Sequence, residues 1–219
     1  MNLTDREMYN PPAPNFFSGK GDVVVTRANL PHWNKSRIAT FVTFRLADSL
    51  PEERLVQLRD EKEDWMSEHP QPWTDDVAED FHRRFGGAFQ DALDSGHGAC
   101  VLRQESCRKI VEDCIWHFAG ERYALYAYVV MPNHVHVLLM PLDDWRVREI
   151  VESIKKFTAR RINEVLGKRG ALWQKESYDT LMRNERQFRA VVRYIRKNDL
   201  SKSWAYSERR SPDKVGAVS

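Results

Sequence analysis

Tyr123–Pro141 reads YALYAYVVMPNHVHVLLMP. Two apolar runs of strand length flank Pro132-Asn133, a pair that breaks a strand and starts a turn. The stretch predicts an antiparallel hairpin with strands Tyr123–Met131 and His134–Pro141. Side chains two apart on a strand share a face. His134 and His136 therefore point one way, and Val135 points the other way into a core. Two neutral imidazoles roughly 6–7 Å apart along a strand can chelate one divalent ion. The same spacing also suits two histidines on a solvated sheet face, and two ligands do not complete a site.

On either side of the hairpin the signals are helical. Gln104–Phe118 carries Cys107, Ile110, Val111, Cys114, Ile115 and Phe118 at helical spacing, with Gly120 as its stop. Trp145–Leu166 is a second amphipathic helix, its stripe including Phe157 and Val165, closed by Gly167. Leu172–Met182 is expected to be extended. Glu185–Asn198 is a last helix, with Asn184 as its N-cap and Phe188, Val191, Val192 and Ile195 as its apolar face. Upstream, Ile38–Leu46 (IATFVTFRL) mixes β-branched and aromatic residues and predicts a buried strand. A charged helix is expected over Glu52–Glu68, bounded by Pro51 and Pro70, then a second helix over Asp76–Leu93 and a turn at Ser95-Gly96-His97-Gly98. Without these charged helices the order is β, α, β, β, α, β, α. That is an α+β fold: the ferredoxin-like split βαβ pattern, an antiparallel sheet with a terminal helix.

The chain of 219 residues is expected to be a single domain in three parts. These are an extended arm over residues 1–35, an acidic helical insertion over 47–100, and a chemically active region over 101–200. The net charge of +2 hides an asymmetry. Asp48–Asp94 holds fourteen acidic and five basic residues, whereas Arg146–Lys202 holds sixteen basic and seven acidic. A basic region beside an acidic one points to a polyanionic partner. No apolar run reaches the roughly 18 residues that span a membrane, and Met1–Tyr9 has no apolar signal core, so a cytoplasmic protein is expected. Cys107 and Cys114 share a helix face, have no Cys-x-x-Cys partner, and read as buried reduced thiols.

On the last helix, Tyr194 and Asn198 are spaced i, i+4 and sit at the edge of the apolar stripe. An asparagine oxygen is a hard ligand suited to Mg²⁺ or Mn²⁺. A hydroxyl one turn away would lie beside whatever that ion polarises. Spacing alone equally allows Tyr194 to pack with a wet hydroxyl and Asn198 to end the helix.

VVMPNHVHVLLMP (129–141) resembles the HUH motif of single-tyrosine transposases, and LWQKESYDTLMRNERQFRAVVRYIRKN (172–198) resembles the family's second block. WNKSRIATFVTFRLADSLP (33–51), GHGACVLR (96–103) and GERYALYAYVVMPNHVHVLL (120–139) are similar to the REP-associated subgroup, which acts on short palindromic repeats. The similarity spans Pro31–Leu200. It implies that His134 and His136 bind a divalent metal, Mg²⁺ or Mn²⁺, with Asn198 completing the site, and that Tyr194 is the nucleophile. It also implies a 5′-phosphotyrosine intermediate on single-stranded or hairpin DNA, and a monomer or homodimer. One departure is that Asn198 is followed by Asp199, where the family has Asn-Pro.

Tyr178, in SYD, is the rival nucleophile. Lys155, Lys156, Arg160 and Arg161 are candidate phosphate contacts, and Trp173 and Tyr178 candidate stacking platforms for bases, with Trp173 as a core residue the alternative. His97, between two glycines, has no ligand-spaced partner. Two other readings stay open: a ferredoxin-like module that grips nucleic acid without catalysis, and a two-histidine phosphoesterase. The latter needs a second His-x-Thr/Ser strand that the chain lacks.

Overall fold

A computed structural model describes Arg6 and residues 9–17, 24–27, 31–34, 37–70, 75–81, 84, 85, 87, 92, 93 and 95–198. The elements are β1 (Val24–Arg27), β2 (Pro31–Asn34), β3 (Thr40–Arg45), α1 (Glu52–Glu68), α2 (Asp75–Phe81), α3 (Glu105–His117), β4 (Tyr123–Val130), β5 (His134–Pro141), α4 (Val147–Leu166), β6 (Tyr178–Leu181) and α5 (Glu185–Asn198), with a short 3₁₀ turn at Val101–Arg103 before α3.

β3 to β6 form one sheet in the order β4-β5-β3-β6, with every neighbouring pair antiparallel. By chain order these are the second, third, first and fourth core strands, which is the ferredoxin-like arrangement expected from the sequence. α3 and α4, the two crossovers, cover one face. Cys107, Val111, Cys114 and Ile115 of α3 and Ile150, Val151 and Ile154 of α4 pack there against Val42, Phe44, Val135, Val137 and Leu139. The three cysteines are free and buried. Phe157 and Val165, assigned above to the α4 stripe, are exposed instead. Gly167 ends α4 in the left-handed conformation (φ 61°), which a glycine adopts without steric cost.

α5 covers the opposite face. Asn184 Oδ1 accepts from the Gln187 N–H at 2.9 Å, the expected N-cap. Phe188, Val192 and Ile195 pack on Phe41, Ala124, Tyr126, Ala127, Val129, Leu138 and Met140. Residues 9–17 span the two sides, Tyr9 packing on Trp116 of the α3 side and Phe16 on Phe188 of the α5 side. Tyr9 Oη accepts the Leu125 N–H of edge strand β4 at 3.0 Å, and Tyr126 donates to Pro12 O at 3.1 Å. Ala39 N–H donates to Asn15 O, and Phe17 N–H to Met182 O. With both faces covered, β3 and β5 are buried along their whole length. β4 alternates only in part, because the β4–β5 register shifts between Leu125 and Ala127. Tyr126 is the extra residue, so it and Ala127 face the same way, and the strand still buries both sides.

Two further readings of the sequence change. Val24–Arg27 pairs with Pro31–Asn34 as a two-stranded ladder inside the stretch read as an arm. A Pro- and Asn-rich context hid these short strands, and proline is tolerated as the first residue of one. Leu172–Met182 is not one strand. Trp173 bridges Leu46 and Gln174 N–H donates to Arg45 O, but the regular ladder begins only at Tyr178. Among the described residues of the acidic segment, Trp65, Phe81 and Phe85 form a small aromatic cluster of their own, and His69 Nδ1 bonds to Trp65 O at the end of α1. No helix among the described residues is long and apolar enough to cross a membrane.

Candidate active site

β5 presents His134 and His136 to the α5 side and sends Val135 and Val137 into the core between the sheet and α3/α4. Both imidazoles are fully buried. Their Nε2 atoms are 2.9 Å apart, so both rings aim at one point. The other ring nitrogens are held from behind. His134 Nδ1 lies 2.8 Å from Asn133 Oδ1, and His136 Nδ1 lies 2.8 Å from Thr43 Oγ1. Thr43 sits directly opposite His136 across the β3–β5 ladder, and its hydroxyl can donate or accept, so it serves either His136 tautomer. Phe41 stacks on the His136 ring at a centroid distance of 5.2 Å.

Burial pulls the His134 pKa down to about 4. Burial, with His134 alongside, holds His136 well below the ordinary 6.5. Both rings are thus neutral at pH 7, the state in which imidazole lone pairs are free to coordinate. Among the described residues there is no cluster of three or more His, Cys, Asp and Glu that could hold a metal. Among the described residues, the donors at this point are the two imidazoles and neutral oxygens.

α5 brings Tyr194 to this pair. Its hydroxyl lies 3.3 Å from His136 Nε2, and its ring meets His136 and Phe41 edge to face at 5.4 and 6.2 Å. Tyr194 is half-buried at the edge of the α5 apolar face, as the helical spacing predicts, and Asn198 is half-buried one turn further on. Tyr178 is opposite Thr43 on the other flank of β3, so it shares the imidazole face. Burial raises its pKa, with a hydrogen bond to Thr180 opposing.

The remaining candidates divide. Trp173 is not a stacking platform. It is buried against Phe44, and its Nε1 donates to Thr158 Oγ1 at 2.9 Å, so its face and its donor are both committed to the core. Lys155, Lys156, Arg160 and Arg161 all lie on α4, across the sheet from the imidazoles. Lys155 is half-buried and its Nζ donates to Lys175 O at 2.8 Å, Arg161 pairs with Glu164, and the Arg160 guanidinium lies over Phe157; Lys156, Arg160 and Arg161 are exposed, as solvated helix cations are.

Arg45 was not anticipated. It lies opposite His134 in the ladder and is buried, and its Nη1 donates to Ser49 Oγ at 3.1 Å. Burial lowers its pKa while Glu176 raises it, and a guanidinium stays charged under such a shift. Asn133, Thr43 and Phe41 were missed as well. Thr43 and Arg45 are signalled only by register, as polar residues two apart on the buried strand β3.

Against known proteins, residues 100–198 match the family model described as Transposase IS200 like. This stretch is transposase-like. It contains the His-x-His strand, Tyr194 and Asn198. Among solved structures, the chain is 16% identical to a REP-associated tyrosine transposase bound to a REP hairpin (TM-score 0.39, covering 75% of this chain and 67% of that one). It is 15% identical to a protein of Deinococcus radiodurans R1 described as a candidate transposase (TM-score 0.35, 74% and 91%). Both TM-scores are below 0.5, so the fold rests on the strand order above. No curated protein matches the chain.

Proposed function

We propose that this protein is a metal-dependent DNA-nicking and DNA-joining transposase with Tyr194 as nucleophile. The observation that carries the reading is the Tyr194 hydroxyl, 3.3 Å from one of two imidazole nitrogens that are themselves 2.9 Å apart. The family match over residues 100–198 supports the same chemistry.

His134, His136 and Asn198 are the residues that would hold a divalent ion. Two converging neutral imidazoles and a hard amide oxygen fit Mg²⁺ or Mn²⁺. Bound there, such an ion would supply a Lewis acid that draws charge from a non-bridging phosphate oxygen. The protein's own groups do the rest. Phe41 and Thr43 fix the His136 ring, and Asn133 fixes His134. Arg45 places a buried positive charge on the same sheet face, suited to a phosphate. Tyr194 attacks phosphorus. The bond from phosphorus to the 3′ oxygen breaks, leaving the 5′ phosphate on Tyr194 and a free 3′ hydroxyl. The phenol gives up one proton and the departing oxygen takes up one. Attack by a 3′ hydroxyl reverses the exchange, so one tyrosine serves both cutting and joining.

The proposed substrate is single-stranded or hairpin DNA with palindromic repeats, and the proposed location is the cytoplasm. Extruding a base from a duplex costs a few kcal/mol, and nothing among the described residues around this site is arranged to supply it. The cations on α4 are proposed to contact phosphates flanking the cut rather than the scissile one, since they lie across the sheet from Tyr194.

The test is a panel of labelled palindromic strands with Mn²⁺, resolved on a denaturing gel. Wild type should form a covalent protein–DNA adduct, and Tyr194→Phe should form none. Tyr178→Phe should keep it. Loss of the adduct with Tyr178→Phe alone would transfer the role to Tyr178. Strand cutting that survives both changes would mean water is the nucleophile, and binding without cutting in wild type would leave a nucleic-acid-binding module.

A further inference from the structure

Ser95–Ala99, at the end of the acidic segment, is a turn seated on the loop that leaves β3. Ala99 N–H donates to Asp48 Oδ2 at 2.8 Å. Gly98, at φ +89°, lies so close to Asp48 that a Cβ would stand 2.4 Å from its carbonyl oxygen. Cys100 Sγ donates back to Gly96 O at 3.1 Å. Seated this way, the segment turns two carbonyls inward. Leu93 O and His97 O accept from Asn133 Nδ2 at 3.2 and 3.1 Å. The His97 side chain is exposed, so this residue contributes its backbone.

The consequence reaches the imidazoles. Carbonyl oxygens only accept, so the amide nitrogen of Asn133 must face them. Its Oδ1 must then face His134 Nδ1, 2.8 Å away. An amide oxygen also only accepts, so Nδ1 carries the ring proton, and Nε2, 2.9 Å from His136 Nε2, carries none and acts as an acceptor or ligand. Asn133 is 1% exposed, so water cannot replace either carbonyl.

We infer that Asn133 is a positioning residue and that the carbonyls of Leu93 and His97, held in place by the Ser95–Ala99 turn that Asp48 clamps, select the metal-ready tautomer of His134. The seating of the acidic segment thereby sets metal affinity. This inference rests on the metal reading above. It gives the segment a role at the site, since partners of a ligating histidine commonly govern affinity by 10–100-fold.

The experiment uses the full chain with ring-¹⁵N histidine, read by long-range ¹H–¹⁵N NMR in chelator and by Mn²⁺ titration followed by EPR. Wild-type His134 should be the Nδ1–H tautomer. Asn133→Ala should lose that preference. Asp48→Ala and Gly98→Ala touch neither imidazole, yet each should shift His134 toward the Nε2–H tautomer and weaken Mn²⁺ binding by about 10–100-fold. Asp48→Asn keeps an acceptor oxygen and should stay close to wild type. Asp48→Ala is exposed and guards against a folding failure of Gly98→Ala. An Nε2–H tautomer in wild type, or unchanged tautomer and affinity in both Asp48→Ala and Gly98→Ala, would overturn the inference. A wild-type protein that forms no DNA adduct counts against the proposed function alone, because the tautomer is read without DNA.

Discussion

The two faces of the four-stranded sheet are both buried, yet they do different work. Toward α3 and α4 the strands send Val42, Phe44, Val135, Val137 and Leu139, and the two buried indoles there are paired, Trp116 with Tyr128 and Trp173 with Thr158. Toward α5 the same two central strands send Phe41, Thr43, Arg45, His134 and His136. A period of two lets adjacent residues serve opposite purposes: Val135 and Val137 pin β5 into the core while His134 and His136, alternating with them, stay dry on the other face. Burial that stabilises one face shifts the chemistry of the other. The fold places desolvated polar groups on a platform that cannot relax away from them.

The largest expected difference separates function from stability. His136→Phe keeps an aromatic ring against Phe41 but removes a metal-facing nitrogen. It should abolish Mn²⁺-dependent cutting while changing unfolding free energy by no more than about 2 kcal/mol, since an orphaned Thr43 hydroxyl is offset by loss of a desolvated imidazole. DNA affinity should largely survive, because phosphate contacts dominate it. Ile115→Ala on the other face should do the reverse. It should cost about 2–5 kcal/mol by cavity formation and leave cutting intact well below the melting temperature. Urea unfolding and single-strand cleavage at about 15 °C, below the unfolding range usual for such domains, measure both. Equal damage to both properties by each change would erase the distinction between the faces.

A smaller effect comes from acid. The folded protein holds His134 down to about 4 and His136 also well below 6.5. Between about pH 6.5 and 4 the unfolded chain takes up protons that the folded chain refuses. Stability therefore falls as pH drops through that window, and this contribution is flat above about pH 7.5. Urea midpoints at about pH 7.5, 6 and 5 in the presence of chelator should show the fall, and His136→Phe should make it shallower. An unchanged slope in that variant would mean the imidazole face is wetter than its burial implies.

Local signals carried most of the architecture. The stripes of α3 and α5, the Asn184 cap, the proline bounds of α1 and the strand alternation around Val135 are written within a few residues of where they act. The candidate site was half legible. His134, His136 and Tyr194 stand out by spacing, and their meeting point follows once the ferredoxin-like order is assumed. What supports them is non-local. Thr43 and Arg45 matter only through the β3–β5 register, which no single strand encodes. Asn133 reads as an ordinary turn residue until Leu93 and His97 arrive from the acidic segment. The extra residue at Tyr126 and the β1–β2 ladder were likewise invisible to periodicity, one because a bulge breaks it and the other because four residues are too few to display it.

The smallest effect tests the correction at Trp173. An aromatic residue in a basic, transposase-like region invites a base-stacking role, but its indole is boxed in by Phe44 and tied to Thr158. Trp173→Phe keeps a ring in the box and removes the Nε1 donor. Thr158 Oγ1 still donates to Ile154 O at 2.8 Å, so no hydroxyl is stranded. The change should cost about 1–2 kcal/mol, a hydrogen bond plus some packing. Single-stranded DNA affinity, measured by fluorescence anisotropy at fixed salt, should stay within about twofold of wild type, because a stacked base is worth roughly 1–3 kcal/mol and none would be lost. A loss of affinity of about fivefold or more, with unchanged unfolding, would return Trp173 to the DNA-binding surface. It would also mean that the α3/α4 face, a closed core in the free protein, opens when DNA binds.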